Sequence, residues 1–284
     1  MRTIGELLAY SFIVNALVTG SAVAVASAAS GYFMVCRRAT FAGHALPNIG
    51  FAGAAGAVLI GVEPVYGLFV VTLVAALAMG LFAGNLRERD VTVGVIMTFT
   101  LGLGFLFLAL YSGYATRVYG VLFGSILGIS SEAARISVIV SLVSLVALSV
   151  LYRPLLFSTF DPELAVARGV PVLFLSVAFL VLLGIIVSIA VQLMGALLLF
   201  TLLVGPSATA TRLVKRPASA IALSVALGVV YVWVGVLVAA VSGTLPVSFC
   251  IATLAFLVYV SIRFLVRKSF GGARGWATPA GRKG

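Results

Sequence analysis

Apolar residues in this chain come in blocks of about 20, and short clusters between the blocks carry most of the charge. Runs of that length mark transmembrane helices, because a bilayer core is about 30 Å thick and cannot hydrogen-bond a bare backbone. Read against the breaks, the sequence predicts roughly nine membrane segments. The first covers about Leu7 to Cys36, long enough to be tilted or partly interfacial. Phe41 to Val62, Pro64 to Gly84 and Val91 to Tyr111 follow. The next stretch, RVYGVLFGSILGISSEAAR from Arg117, is too broken by Gly and Ser for a clear span and fits a re-entrant or gate-like element better. Segments over Ile136 to Leu151, Val172 to Val191, Gly195 to Ala210, Ala218 to Val241 and Leu245 to Val266 complete the set. The expected fold is an all-α polytopic bundle of about 8–9 transmembrane helices.

Loop charges set its orientation. Arg37 and Arg38, the cluster from Arg87 to Asp90, Arg153 with Arg168, and Arg212, Lys215 and Arg216 fall on alternate connections, and the C-terminal tail falls on the same side. The opposite connections hold Glu63, Arg117 with Glu132 and Arg135, Gln192 and Ser242. The positive-inside rule puts the basic set and the C-terminus in the cytoplasm. Nine crossings then place the N-terminus outside; one fewer would bring it inside, with Arg2. The N-terminus carries no small-residue cleavage pattern, so the first apolar run is expected to be a retained helix.

Composition sharpens this picture. The 284 residues are 63% hydrophobic and only 9% charged, with a mean hydropathy of +1.27. A net charge of +11 does not point to nucleic acid, because the basic residues are spread over loops and the tail. That tail, residues 269–284, is Gly-rich and basic, and is expected to be a disordered cytoplasmic, lipid-facing end. Cys36 and Cys250 stand apart from each other and from any His, as buried thiols do. The Gly- and Ala-rich run from Gly50 sets Gly53 beside Gly56, and Ala52 four residues before it, the small-residue pattern that lets helices pack closely in lipid.

Reactive side chains are few. The seven acids sit mostly in loops, no Ser/His/Asp set can be assembled, and no HExxH is present, so the chain is not expected to be an enzyme. No GxxxxGK[ST] occurs either, so any ATP that drives transport must be bound by another subunit. Polar residues in or beside the spans are Asn15, His44, Asn48, Asn85 and Gln192. The single histidine, His44, and Asn48 are one helical turn apart and share a face. Pro47 between them has no N–H for the carbonyl of Gly43, which is left for a ligand or water. Imidazole nitrogen, amide oxygen and that carbonyl could together coordinate a divalent cation. The same residues also suit an interhelical hydrogen bond and a proline kink, and the sequence leaves both readings open.

The cytoplasmic loop RPLLFSTFDPELAVARGV differs in kind. DPELAVARG reads as a short helix, with Asp161 as cap, Pro162 in the first turn and Gly169 where it stops. Such a helix can dock into a partner's groove or serve as a solvated linker.

Four blocks in order resemble the permease subunits of the ABC-3 family, bacterial importers for zinc and manganese. They are RRATFAGHALPNIGFAGAAGA, YGVLFGSILGIS, DPELAVARGV and MGALLLFTLLVGPSATATRLV, and the resemblance reaches from about residue 15 to 262. It implies a transmembrane permease domain over residues 1–268, multi-pass in the bacterial plasma membrane. It also implies a permease homodimer, two copies of a cytoplasmic ABC ATPase, an extracytoplasmic metal-binding protein, and alternating access driven by ATP. Zn²⁺ or Mn²⁺ would be cargo, with no permanently bound cofactor. Asp161, Glu163, Ala165 and Gly169 match the family's coupling segment and are expected at the ATPase contact. His44, Asn48, Gly43 and Ser125 are expected along the path, with His44 the metal ligand.

The departures bear on the cargo. The family's early block reads Gly-Asp-Ala-Leu-x-His where this chain has His44 and Asn48, the acid of its Leu-Phe-Gly-Asp block is Ser125 here, and SGTLPVSF from Ser242 holds no acid. A path poor in carboxylates suits a hard dication less well. A metal chelate or other small solute is therefore an alternative cargo, and an ATPase-independent secondary transporter an alternative class.

Overall fold

The computed structural model describes residues 10–81, 86–111 and 129–271. The regular structure among them is helical: α1 (Ser11–Cys36), α2 (Thr40–Leu59), α3 (Pro64–Leu81), α4 (Leu86–Leu110), α5 (Ser131–Phe160), α6 (Pro162–Ala167), α7 (Val172–Met194), α8 (Ala196–Leu213), α9 (Pro217–Ser242) and α10 (Val247–Gly271). Seven of these (α1, α3, α4, α5, α7, α9 and α10) are long and apolar enough to cross a membrane. α2 and α8, 20 and 18 residues long and each with an internal proline, lie among them. The chain is thus the expected all-α, multi-pass membrane bundle. The gate-like stretch through residue 128, with Ser125, lies outside the described residues, as do Asn85 and the tail from residue 272.

Local chemistry sets the helix ends. Ser130 caps α5 by accepting the N–H of Ala133 at 3.2 Å, and Glu132 in the first turn complements the helix dipole. Pro217 opens α9, and Gly243 closes it in the left-handed region at φ +66°. The largest departure from the sequence expectation is α5, which begins at Ser131, inside the stretch expected to be gate-like. α5 does not stop near Leu151 but runs through Arg153 and Pro154 to Phe160. Pro154 removes the hydrogen bond to the Val150 carbonyl, yet burial of Leu155 and Ser158 holds the last turns in helical register. Its 30 residues span about 45 Å, longer than the roughly 30 Å core. The end of α5 therefore stands clear of the hydrocarbon and carries α6 with it.

α1 lies at the centre, against α5, α8 and α9, while α7 packs on α3 and α5 and α2 on α3 and α4. α1 and α5 run parallel: Asn15 donates to Ser131 Oγ at 3.2 Å near one end, and Phe33 meets Tyr152 edge-to-face at 6.0 Å near the other. The basic corners gather at this second end. Arg37 donates to Ser176 Oγ at 2.9 Å and lies over Phe179, and Arg168 lies over Phe157.

Packing here depends on bare backbone. A Cβ on Gly53 would run into the Gly67 carbonyl of α3, and one on Gly67 into the Gly53 carbonyl of α2. Gly31 of α1 faces the Leu203 carbonyl of α8 in the same way. Beside it the hydroxyls of Ser207 and Ser224 each reach the Ala28 carbonyl at 3.1 Å and lie 2.9 Å from one another. In lipid such contacts, rather than hydrophobic burial, hold helices together. Gly67→Val should therefore force α2 and α3 apart, at a cost of about 1–3 kcal/mol. The expected result is a lower thermal midpoint in detergent. Gly102→Val, at a glycine with nothing within 4 Å of its Cβ position, should leave the midpoint unchanged.

Candidate functional site

The sequence-predicted polar face exists, but its groups divide their work. His44 and Asn48 are both half-buried on α2. Asn48 turns its Nδ2 back on its own helix, donating to the His44 carbonyl at 2.8 Å, and brings it to 4.0 Å from the Met97 sulfur of α4. Its Oδ1 is an acceptor-only oxygen. The His44 ring meets Phe200 of α8 edge-to-face, with centroids 4.9 Å apart. No described residue hydrogen-bonds either imidazole nitrogen, so a ring lone pair is available to a ligand. Gly43 is buried with its Cα against the Met34 thioether, too close for a side chain, and Pro47 offers no N–H to its carbonyl.

α2 and α8, each interrupted by a proline, are thus neighbours. His44 lies one turn before Pro47, and Phe200 lies six residues before Pro206. Phe200 also lines an open cleft of 350 Å³ between α8 and α10. Its ring therefore has the imidazole on one side and that cleft on the other. Sequence reasoning missed Phe200 and Met97, because nothing local sets an apolar side chain on α8 or α4 beside a histidine on α2.

Chemically the site offers an imidazole, an amide oxygen and a thioether, with no carboxylate in the set. Among the described residues no group of three or more His, Cys, Asp or Glu side chains is placed to hold a metal ion. A donor set without carboxylates holds a hard dication weakly. The remaining polar candidates serve elsewhere. Asn15 ties α1 to the start of α5, and Gln192 is exposed near the end of α7.

At the opposite end of the charge scale stands α6. Asp161 caps it, accepting the Leu164 N–H at 3.0 Å, and Gly169 ends it at φ +77°. Glu163 and Gly169 are exposed, but Ala165 is wholly buried. Ala165 therefore packs the short helix down on its neighbours. The residues that α6 and its approach turn outward are Phe160, Leu164 and Val166, 62%, 41% and 63% exposed. Their signal was present in the sequence as apolar residues within an otherwise polar loop.

Comparison with known proteins places this geometry. Residues 9–266 match the sequence model of the ABC 3 transport family. The "Manganese import system permease protein ScaB" of Streptococcus gordonii is 29% identical over 266 residues, 91% of this chain and 95% of that one. The "High-affinity zinc uptake system membrane protein ZnuB" of Haemophilus influenzae is 26% identical, over 89% of this chain and 97% of that one. Among solved structures, PsaBC from Streptococcus pneumoniae in complex with Fab superposes with a TM-score of 0.81 at 27% identity, covering 92% of this chain and 94% of that one.

The contact between His44 and Phe200 can be tested directly. Phe200→Ala should open the imidazole to the cleft and raise its rate of modification by diethyl pyrocarbonate severalfold in the detergent-solubilised protein, read on the single histidine. An unchanged rate would mean that Phe200 does not cover the ring.

Proposed function

We propose a function from one premise: the chain belongs to the ABC 3 transport family. It is the membrane-spanning permease subunit of an ATP-binding cassette importer for a divalent metal ion, manganese or zinc. Hydrolysis takes place in a separate cytoplasmic ATPase, two copies against a permease homodimer, and an extracytoplasmic binding protein delivers the ion. The observation that carries the cargo assignment is His44. It is a half-buried imidazole with no hydrogen-bond partner among the described residues, on a proline-interrupted helix inside the bundle. Polar groups at such depth are costly and serve pathways.

The ATPase end of the cycle is assigned to α6. Phe160, Leu164 and Val166 offer an apolar contact surface, while Asp161 shapes the helix and Gly169 ends it. Force applied there enters the bundle through Ala165, which is packed inside, and through α5, whose protruding end adjoins α6. A second reading draws on the neutrality of the donors at His44. A metal that crosses with its own small-molecule ligand needs no carboxylate from the protein.

Uptake of radiolabelled manganese and of zinc into vesicles holding the permease with its ATPase and binding protein tests this reading. His44→Ala should lower ATP-dependent uptake by ~10-fold or more with unchanged membrane abundance. Uptake without ATP, or uptake indifferent to the substitution, would remove the assignment. Adding a chelating hydroxy acid separates the two cargo forms: it slows transport of a free ion and speeds that of a complex.

Leu164→Glu with Val166→Glu should abolish copurification of the ATPase and leave the thermal midpoint of the permease alone intact. Ala165→Glu should instead unfold the short helix. If the double variant still captures ATPase at the wild-type level, α6 is not the docking element.

A further inference from the structure

The charge of this chain is divided in a way that metal passage does not explain. No Asp or Glu follows Glu163, so α7 to α10 and everything after them carry only basic charge. At the end of the bundle where α8 finishes, Arg212, Lys215, Arg216 and, on α10, Arg263 are all exposed. Asp161 and Glu163 belong to the α6 segment, which packs mainly on α5 and α7.

These cations stand at the mouth of the cleft between α8 and α10. Its walls are apolar or small, with Val204, Gly205 and Ala208 on α8 facing Ala252, Ala255 and Phe256 on α10. Phe200 closes the deep end and Tyr259 lies toward the mouth. The Arg212 guanidinium donates to Tyr259 Oη at 3.1 Å and lies 5.3 Å from the ring centroid. That contact holds the guanidinium over the cleft while leaving it other N–H donors. Arg263, one turn beyond Tyr259, shares its face of α10.

The dimensions suit one occupant. From Ala252 to Arg263, α10 rises about 16 Å, and one leaflet of hydrocarbon is about 15 Å deep. An acyl chain laid along Phe256 and Ala252 would reach Phe200 with its head group level with Arg212 and Arg263. We propose that the α8–α10 cleft is a binding site for an anionic phospholipid of the cytoplasmic leaflet, its chain in the cleft and its phosphate on Arg212 and Arg263. A zwitterionic lipid would fill the same space without the charge match. An acidic face of a protein partner would match the charge without needing the depth.

Because its apolar end is Phe200, the site gives bilayer composition a direct contact with the ring that covers His44. A chain seated there buttresses Phe200 against the imidazole, and an empty cleft leaves the ring room to turn.

Native mass spectrometry of the full-length permease, mixed with equal amounts of phosphatidylglycerol and phosphatidylcholine, tests the proposal. Wild type should retain phosphatidylglycerol preferentially. Arg212→Gln and Arg263→Gln should each reduce that preference about fivefold, and together about 30-fold. Ala252→Phe, which fills the cleft and keeps every charge, should reduce retention of both lipids. Equal retention of the two lipids by wild type would overturn the site, since only ordinary annular contact would remain. Full retention in Ala252→Phe would overturn it too, by showing that the cations act without the cleft. Should the arginine variants keep their lipid and lose ATPase or the second permease copy, the face is a protein contact and the proposal fails.

Discussion

How closely two helix backbones can approach in lipid decides most of this structure. Water does not drive these helices together, because hydrocarbon is as good a solvent for Leu and Val as a neighbouring helix is. What remains is contact, and contact is closest where side chains are missing. Gly53 and Gly67 let α2 and α3 touch backbone to backbone, and Gly31 lets α1 rest on the Leu203 carbonyl. The hydroxyls of Ser207 and Ser224 then reach the Ala28 carbonyl at the same crossing. These crossings hold α2 and α8 within the bundle, and only then can His44 meet Phe200.

Much of this was legible in the sequence. The apolar runs marked the bundle helices, seven of which among the described residues are long and apolar enough to cross a membrane, and the caps of α6 were readable because Asp161, Pro162 and Gly169 act within a few residues of where they stand. The errors have physical causes. α5 outran its expected end because burial of Leu155 and Ser158 outweighed the proline at 154, and local propensity yields to packing of that kind. Ala165, one of the four residues expected at the ATPase contact, is also the one that a six-residue helix buries to stay in place. The partners of His44 were beyond reach of any local rule. Phe200 is more than a hundred residues away, and which face α8 turns to α2 depends on crossings set by glycines elsewhere.

Two prolines interrupt helices inside the bundle, Pro47 in α2 and Pro206 in α8, and each removes one backbone hydrogen bond. In α2 the freed carbonyl is that of Gly43, beside the one imidazole of the chain. The helix also offers side-chain help at this point, since Asn48 donates its amide to the His44 carbonyl. The result is a polar patch without net charge in a helix that continues above and below it. A carboxylate there would hold a dication more tightly, and would also be a buried charge whenever the ion was absent. Neutral donors avoid that penalty in the empty state.

On the proposed function, a site that holds its cargo loosely would not by itself set direction, so direction would come from a conformational change imposed from outside, with α5 as the lever. α5 is about 45 Å long, runs parallel to the central α1 along its length, and ends beyond the hydrocarbon beside α6. On the proposed function, displacement of α6 would pass to α5 at the contact of Arg168 with Phe157. It would then reach α1 and, by way of Gly31 and Leu203, α8. Phe200 lies on α8 against the His44 ring, so a push at α6 and the exposure of His44 would be linked through one continuous set of helix contacts.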